Sequence, residues 1–196
     1  MNVERYMQQG AVTALPTASL STVREVMEEH GFGLLLVASE DGCLKGFVTR
    51  ASLKGTTDWD APVEQITHPA VFAVSPCDTL EKAALILLEN RLVLLPVTTE
   101  DGRLVGILTQ AEVLRGLAEG LGIGLEGTRL SVRLREDSDD IYRVLELLRA
   151  HDVRLVSFAA GSKDGTHPEA ILRVQGIDDR VKLCEELEAR LRESES

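Results

Sequence analysis

Positive charge is scarce in this chain: 21 Lys and Arg stand against 32 Asp and Glu, a formal net charge of −11. Nucleic acid and anionic membranes both call for a basic face, so neither is an expected partner. An anionic ligand would have to be met by individually placed Arg or Lys side chains and by backbone N–H groups. The three cysteines, Cys43, Cys77 and Cys184, lie far apart with no CxxC pair, which argues against a disulfide framework or a cysteine zinc site. Reduced thiols in a cytosolic protein are the expectation. His30, His68, His151 and His167 are scattered without His-x-x-x-His or Glu-x-x-His spacing, so no metal site is expected. No apolar run reaches the roughly 18 residues of a membrane span, and none of signal-peptide length follows Met1-Asn2-Val3-Glu4-Arg5. A soluble, cytoplasmic protein is expected. No nucleophile–base–acid set stands out either; Asp139/Asp140 and Asp178/Asp179 open helices, the ordinary use of paired acids. The chain reads as a non-enzyme, with a hydrolase acting in a cleft as the minor alternative.

What the chain does have is an internal duplication. Asp41-Gly42-Cys43-Leu44-Lys45-Gly46-Phe47-Val48-Thr49 returns as Asp101-Gly102-Arg103-Leu104-Val105-Gly106-Ile107-Leu108-Thr109. Aligned without gaps at an offset of roughly 60 residues, Val12–Leu53 and Phe72–Val113 share about 13 identities in about 42 positions. Two such units packed together enclose a pseudo-symmetric cleft, a usual place for a small ligand. Each repeat reads strand–helix–strand–strand–helix. In the second, the expected elements are a strand Val71–Val74, a helix Leu80–Glu89 opened by an Asp78/Glu81 capping box, a strand Leu92–Thr98, a hairpin turn at Glu100-Asp101-Gly102, a strand Leu104–Leu108 and a helix Gln110–Leu121. Pro96 lacks the N–H of a ladder residue, so it belongs at an edge or bulge, facing the cleft. The first repeat predicts Ala11–Leu15, Leu20–His30, Leu34–Ala38, Leu44–Val48 and a short helix from Ala51. Thr49 and Thr109 then each stand between a strand and a helix, where free N–H groups suit anions. The alternative is that both are N-caps, with Glu112 completing a Thr-x-x-Glu capping box. Arg50 is the best-placed cation for a phosphate, or else a solvated surface residue.

Lys54–Pro62 is a polar connector, and its Trp59 is either an exposed interface anchor or packed over the neighbouring unit. Gly122, Gly124 and Gly127 spell GxGxxG, but a helix precedes and a strand follows, the reverse of a dinucleotide loop, so they mark a linker. Beyond it the pattern is strand (Leu130–Leu134), turn (Glu136–Ser138), helix (Asp139–His151), strand (Arg154–Ala159), turn (Gly161–Gly165), strand (Ala170–Gln175) and helix (Asp178–Arg192). His151 complements a helix dipole, His167-Pro168 lies in a turn, and Glu193–Ser196 is a frayed tail. This is a βαββα sandwich without a fourth strand.

These residues resemble a known family. The lead-in Val3-Glu4-Arg5-Tyr6-Met7, the corner Ser75-Pro76-Cys77-Asp78-Thr79-Leu80, and Leu95-Pro96-Val97 followed by Glu100–Thr109 are similar to a CBS domain. Two copies resemble a tandem CBS (Bateman) module, and the tail resembles an ACT-like domain, an order similar to the acetoin-utilisation AcuB-like family. The resemblance implies an α/β (α+β) fold divided as 1–58 (first CBS repeat), 59–120 (second), 121–127 (Gly-rich linker) and 128–196 (ACT-like, ferredoxin-like). It also implies a regulatory protein that binds an adenine nucleotide or related adenosyl ligand in the cleft, needs no other cofactor, and signals to a partner. The family pattern Gly-x-x-Thr/Ser-x-x-Asp maps onto Gly106, Thr109 and Glu112, with the carboxylate one methylene longer, and onto Gly46, Thr49 and Ser52, where the acid is missing. Unequal sites are implied, with Arg50, Thr13, Leu95 and Pro96 also against the ligand. In the tail, Asp137-Ser138-Asp139-Asp140 replaces the Gly-containing loop of amino-acid-binding ACT members, and the two acids fit helix-dipole compensation. A dimerisation role is expected there, and a homodimer overall. The alternative is a structural adaptor with no nucleotide bound.

Overall fold

The computed structural model describes residues 1–135, 139–161, 169–177 and 179–192. The chain divides into two compact units, Met1–Leu117 and Ala118–Ser196. In the first, the repeats follow the same plan. Helices α1 (Leu20–Glu29) and α2 (Leu80–Glu89) are capped by Ser19 and Thr79, whose hydroxyls accept from the N–H groups of Thr22 and Lys82. Thr79, not Asp78, is therefore the cap of α2. The Asp78 carboxylate instead accepts from the Ser75 N–H at 2.8 Å and the Lys82 ammonium at 2.7 Å, tying the corner before the helix. Leu20, Val23 and Met27 bury one face of α1; Leu80, Ala83 and Leu87 bury the corresponding face of α2.

Strand β1 (Thr13–Ala14) pairs in parallel with β2 (Leu34–Ala38), which pairs antiparallel with β3 (Leu44–Thr49). In the second repeat β4 (Leu94–Thr98) and β5 (Leu104–Thr109) pair antiparallel and helix α3 (Gln110–Gly120) follows. The expected strand Val71–Val74 does not form there: only Val74 bridges to Val97. The ladder bonds at that bridge are Val74 N–H to Pro96 O (3.0 Å) and Thr98 N–H to Val74 O (2.9 Å). The next step back would need an N–H at position 96, where the first repeat has Leu36 in register with Thr13. Proline has no N–H, so pairing stops. Nor does a helix start at Ala51; residues 51–55 are turns.

The two repeats exchange their lead-ins. Val3, fully buried, belongs to the core of the second repeat, while Val63, equally buried, belongs to that of the first. Gln8 bridges to Ile107 and His68 to Phe47, and these crossings require glycine beneath them. A Cβ on Gly46 would lie 2.1 Å from the His68 carbonyl oxygen, and one on Gly106 would lie 2.6 Å from that of Gln8. Trp59 packs on the core of the first repeat with the Arg24 guanidinium 4.3 Å above its ring, so it is not an exposed anchor.

The second unit orders β6 (Thr128–Arg133), α4 (Asp140–Ala150), β7 (Arg154–Gly161), β8 (Glu169–Gln175) and α5 (Arg180–Arg192) as the expected βαββα. Its described residues form a three-stranded antiparallel sheet in the order β6-β8-β7, leaving β6 at an edge. Leu130, Leu172 and Val174 of the sheet meet Val144, Leu148, Leu183 and Leu187 of the helices. Asp140 does more than compensate the dipole of α4. It is 1 % exposed and takes hydrogen bonds from the Arg135 N–H (2.9 Å), Nε (3.0 Å) and Nη2 (2.5 Å). Asp139 makes no side-chain cap bond, whereas Asp179 accepts from the N–H groups of Val181 and Lys182. The expected turns at 136–138 and 162–165, together with His167, Pro168, Asp178 and the tail 193–196, lie outside the described residues.

Candidate functional site

A cavity of about 340 Å³ lies between the repeats of the first unit. Leu34, Leu36 and Phe47 wall it from the first repeat, and Phe72, Leu94 and Pro96 from the second. Strand alternation explains which side chains face it. On β4, Leu95 and Val97 enter the core of the second repeat, so Leu94 and Pro96 turn to the cavity. Pro96 is thus where the sequence places it. Leu95, 0 % exposed, is a core residue rather than a side chain facing a ligand. Pro96 also accounts for the opening itself: with the ladder stopped at Val74, residues 70–73 make no backbone hydrogen bond among the described residues. Their free N–H and C=O groups belong to the segment that forms one wall.

Two hydrogen-bonded clusters related by the repeat stand at the ends of β3 and β5. In the second repeat Thr109 caps α3, and Glu112 returns the bond. The Thr109 N–H donates to Glu112 Oε2 at 3.1 Å, the Thr109 hydroxyl donates to the same oxygen, and Ala111 N–H donates to Thr109 Oγ1 at 3.2 Å. Glu112 is 5 % exposed, and its other oxygen accepts from Gln8 Nε2 at 2.8 Å. Burial pushes the Glu112 carboxyl up, but the bonds from Thr109 and Gln8 outweigh it and hold the pKa below its ordinary value. In the first repeat Thr49 Oγ1 and Ser52 Oγ lie 2.8 Å apart, and Ser52 Oγ is 3.0 Å from His68 Nε2. The structure therefore joins Thr109 to Glu112 and Thr49 to Ser52, and adds to each pair a lead-in residue, Gln8 or His68, that sequence reasoning missed. The signal was present: Gln8 and His68 correspond under the same roughly 60-residue offset, just ahead of the aligned block.

The remaining expected site residues are dispersed. Arg50 donates from Nε to the Phe32 carbonyl (2.7 Å) and from Nη2 to the Met27 carbonyl (3.2 Å), closing the end of α1. Gln110 does the equivalent in the second repeat, donating to the Leu92 carbonyl at 2.9 Å. The phosphate cation expected at Arg50 is thus occupied as a helix C-terminal clasp. Thr13 is exposed on β1, opposite Leu36. His30 stacks on Phe32, and His151 Nε2 meets Glu186 Oε2 at 2.7 Å. Among the described residues no three His, Cys, Asp or Glu side chains are grouped to hold a metal, and no helix is long and apolar enough to cross a membrane.

With this geometry in view, a family model described as the CBS domain matches residues 3–55 and 63–119. Among solved structures, one of CBSX2 in complex with AMP is 26% identical, with a TM-score of 0.54, over 60% of this chain and 96% of its own. A CBS domain pair/ACT domain protein from Thermotoga maritima is 26% identical, with a TM-score of 0.57, over 62% of this chain and 99% of its own. A protein from Vibrio cholerae assigned to acetoin utilisation (AcuB) shares the fold at 23% identity and a TM-score of 0.55, over 63% and 94%. Curated relatives align over 67% or 80% of this chain at 29% or 27% identity, and the chain spans about a third of their length, 32% or 33%.

Proposed function

The chain belongs to the CBS-domain family, and from that premise we propose that it is a regulatory protein that binds an adenine nucleotide in the cavity between its repeats and relays the change to a protein partner. The observation that carries this reading is the cavity. Its volume of about 340 Å³ falls at the lower end of the roughly 300–1,000 Å³ of small-molecule sites. Its apolar walls suit a purine face, and the unpaired backbone of residues 70–73 offers both an acceptor for an exocyclic amine and a donor for a ring nitrogen. The AMP complex of a 26% identical CBS protein supports the same ligand class. Catalysis has no part in the proposal. The Thr109–Glu112 pair contributes to binding by exchanging the Gln8 amide for ribose hydroxyls, a step open to Glu112 and closed to Ser52. The protein is placed in the cytoplasm.

Melting curves with AMP, ADP, ATP, NAD and S-adenosylmethionine test the proposal. At about 100 times the dissociation constant, linkage adds roughly 2.7 kcal/mol, which for a chain of this size raises Tm by about 5–10 °C. No shift with any of them at millimolar concentration would favour the adaptor with no bound nucleotide. A homodimer belongs to the same reading. Leu85 and Leu88 on α2 are 57% and 71% exposed, and Leu114 on α3 is 69% exposed, apolar surface that a two-fold contact would cover. A further cavity of about 690 Å³ flanks β6, the open edge of the second unit's sheet, and α5. Light scattering on the full chain is expected to give twice the monomer mass at micromolar concentration. A monomer would refute the dimer, and an unchanged dimer in a version ending at Gly127 would assign the contact to the repeats alone.

A further inference from the structure

Arg91 holds a backbone conformation for which the first repeat uses glycine. It follows the last turn of α2 with φ of 52°, and its counterpart after α1 is Gly31, with φ of 69°. A left-handed conformation is open to glycine and disfavoured for a residue carrying a Cβ. Unlike asparagine or aspartate, arginine has no short polar side chain to relieve it. A strained non-glycine residue of this kind points to a task for its side chain. Arg91 has the placement for one. Among the described residues lining the cavity between the repeats, it is the one with a charged side chain. It forms no ion pair, and its side chain makes no hydrogen bond, among the described residues. Arg50, by contrast, is bound to two helix carbonyls.

We propose that Arg91 is the anion anchor of this cavity, so that its ligand is a nucleoside carrying a phosphate and not an uncharged adenosine derivative. The inference rests on the reading that the cavity holds an adenine nucleotide and adds which chemical class it selects. A guanidinium presents a planar fork of donors that matches two phosphate oxygens at once. Arg91 is itself exposed, so its side chain is free to meet a ligand phosphate at the cavity mouth beside Leu94 and Pro96. In a chain of net charge −11 the surrounding field repels an anion, so a local cation is needed to hold it.

Isothermal titration of the full chain with AMP and with adenosine, in native protein and in Arg91→Gly, tests the assignment. Native protein is expected to bind AMP about ten- to a hundredfold more tightly than adenosine, the scale of one charge-assisted pair. Arg91→Gly should lose that preference while its affinity for adenosine stays within about twofold. It should melt no lower than the native chain, because glycine accepts the left-handed conformation without strain. Equal native affinity for the two ligands, or a parallel loss of both in Arg91→Gly, would overturn the anchor while leaving nucleotide binding in place. Binding of neither ligand by the native chain would overturn the cavity reading and the anchor together.

Discussion

Glu112→Ala is expected to lower the stability of the first unit by about 2–4 kcal/mol, read as a shift in the midpoint of urea or thermal unfolding. The carboxylate is almost fully buried and accepts from the Thr109 N–H, the Thr109 hydroxyl and the Gln8 amide. Alanine removes the acceptor of the half-buried Thr109 N–H and hydroxyl, where an unpaired group costs about 1–3 kcal/mol, while the exposed Gln8 amide turns to water. It also cuts the tie between α3 and the lead-in of the first repeat. Glu112→Gln keeps an accepting oxygen and should lose less. The same pair of variants separates charge from shape by pH. Because the folded-state pKa of Glu112 lies below its ordinary value, its contribution is complete above the unfolded carboxyl value of about 4.3 and is lost as pH falls through the folded value. Stability of the native chain should therefore fall on acidification below about pH 4.3 more steeply than that of Glu112→Gln. Equal unfolding midpoints for native and Glu112→Ala protein at neutral pH would mean that the capping box contributes nothing.

Asp140→Ala should cost the second unit about 3 kcal/mol, the lower end of what breaking a buried ion pair costs. The aspartate side chain is 2% exposed, but its partner Arg135 is 32% exposed and can recover part of its hydration. What it cannot recover is the backbone bond from the Arg135 N–H, which fixes the exit of the chain from β6. Hydrogen exchange on the intact protein localises the effect: protection should fall across β6 and α4 and persist in β2, β3, β4 and β5. A uniform loss across both units would contradict an independently stabilised second unit.

The elements buried on one face were legible in the sequence because their periodicity is strong. Helix α2 has the bounds Leu80–Glu89 expected from the sequence, and the second unit has the expected βαββα order, although in α5 it is Leu183 and Leu187 that are buried while Val181 is exposed. The misses share a cause, competition between neighbouring backbone bonds. Val71–Val74 has strand composition, but a strand needs a partner that can donate, and Pro96 cannot. The segment after Thr49 has the first residues of a helix, and Ser52 Oγ accepts from the Thr49 N–H at 3.3 Å much as Glu112 does from Thr109, yet residues 51–55 stay in turns. Gly55, with φ of 85°, turns the chain before a nucleus of helical turns is complete. Thr79 takes the cap position because its hydroxyl reaches the Lys82 N–H, which frees Asp78 to bind the corner before it. At the candidate site, Thr109, Glu112 and Pro96 could be found from repeat and motif alone. Gln8 and His68 share the repeat offset, but their contact with Glu112 and Ser52 depends on how one repeat lies across the other, and Arg91 is singled out only by its backbone dihedral.

The exchange of lead-ins sets a timetable for synthesis. Val3 leaves the ribosome ahead of the other buried residues of its core, Val74 to Val113, which lie at least 71 residues further along the chain. At about 5–20 residues per second, this apolar residue waits several seconds for the surface that will bury it. The first repeat faces a shorter delay, because its borrowed residue, Val63, follows Leu53 by only ten positions. Residues 11–66 can therefore close a core while the ribosome is still building β4. The second repeat closes after the first, and that later step captures a lead-in synthesised well before it.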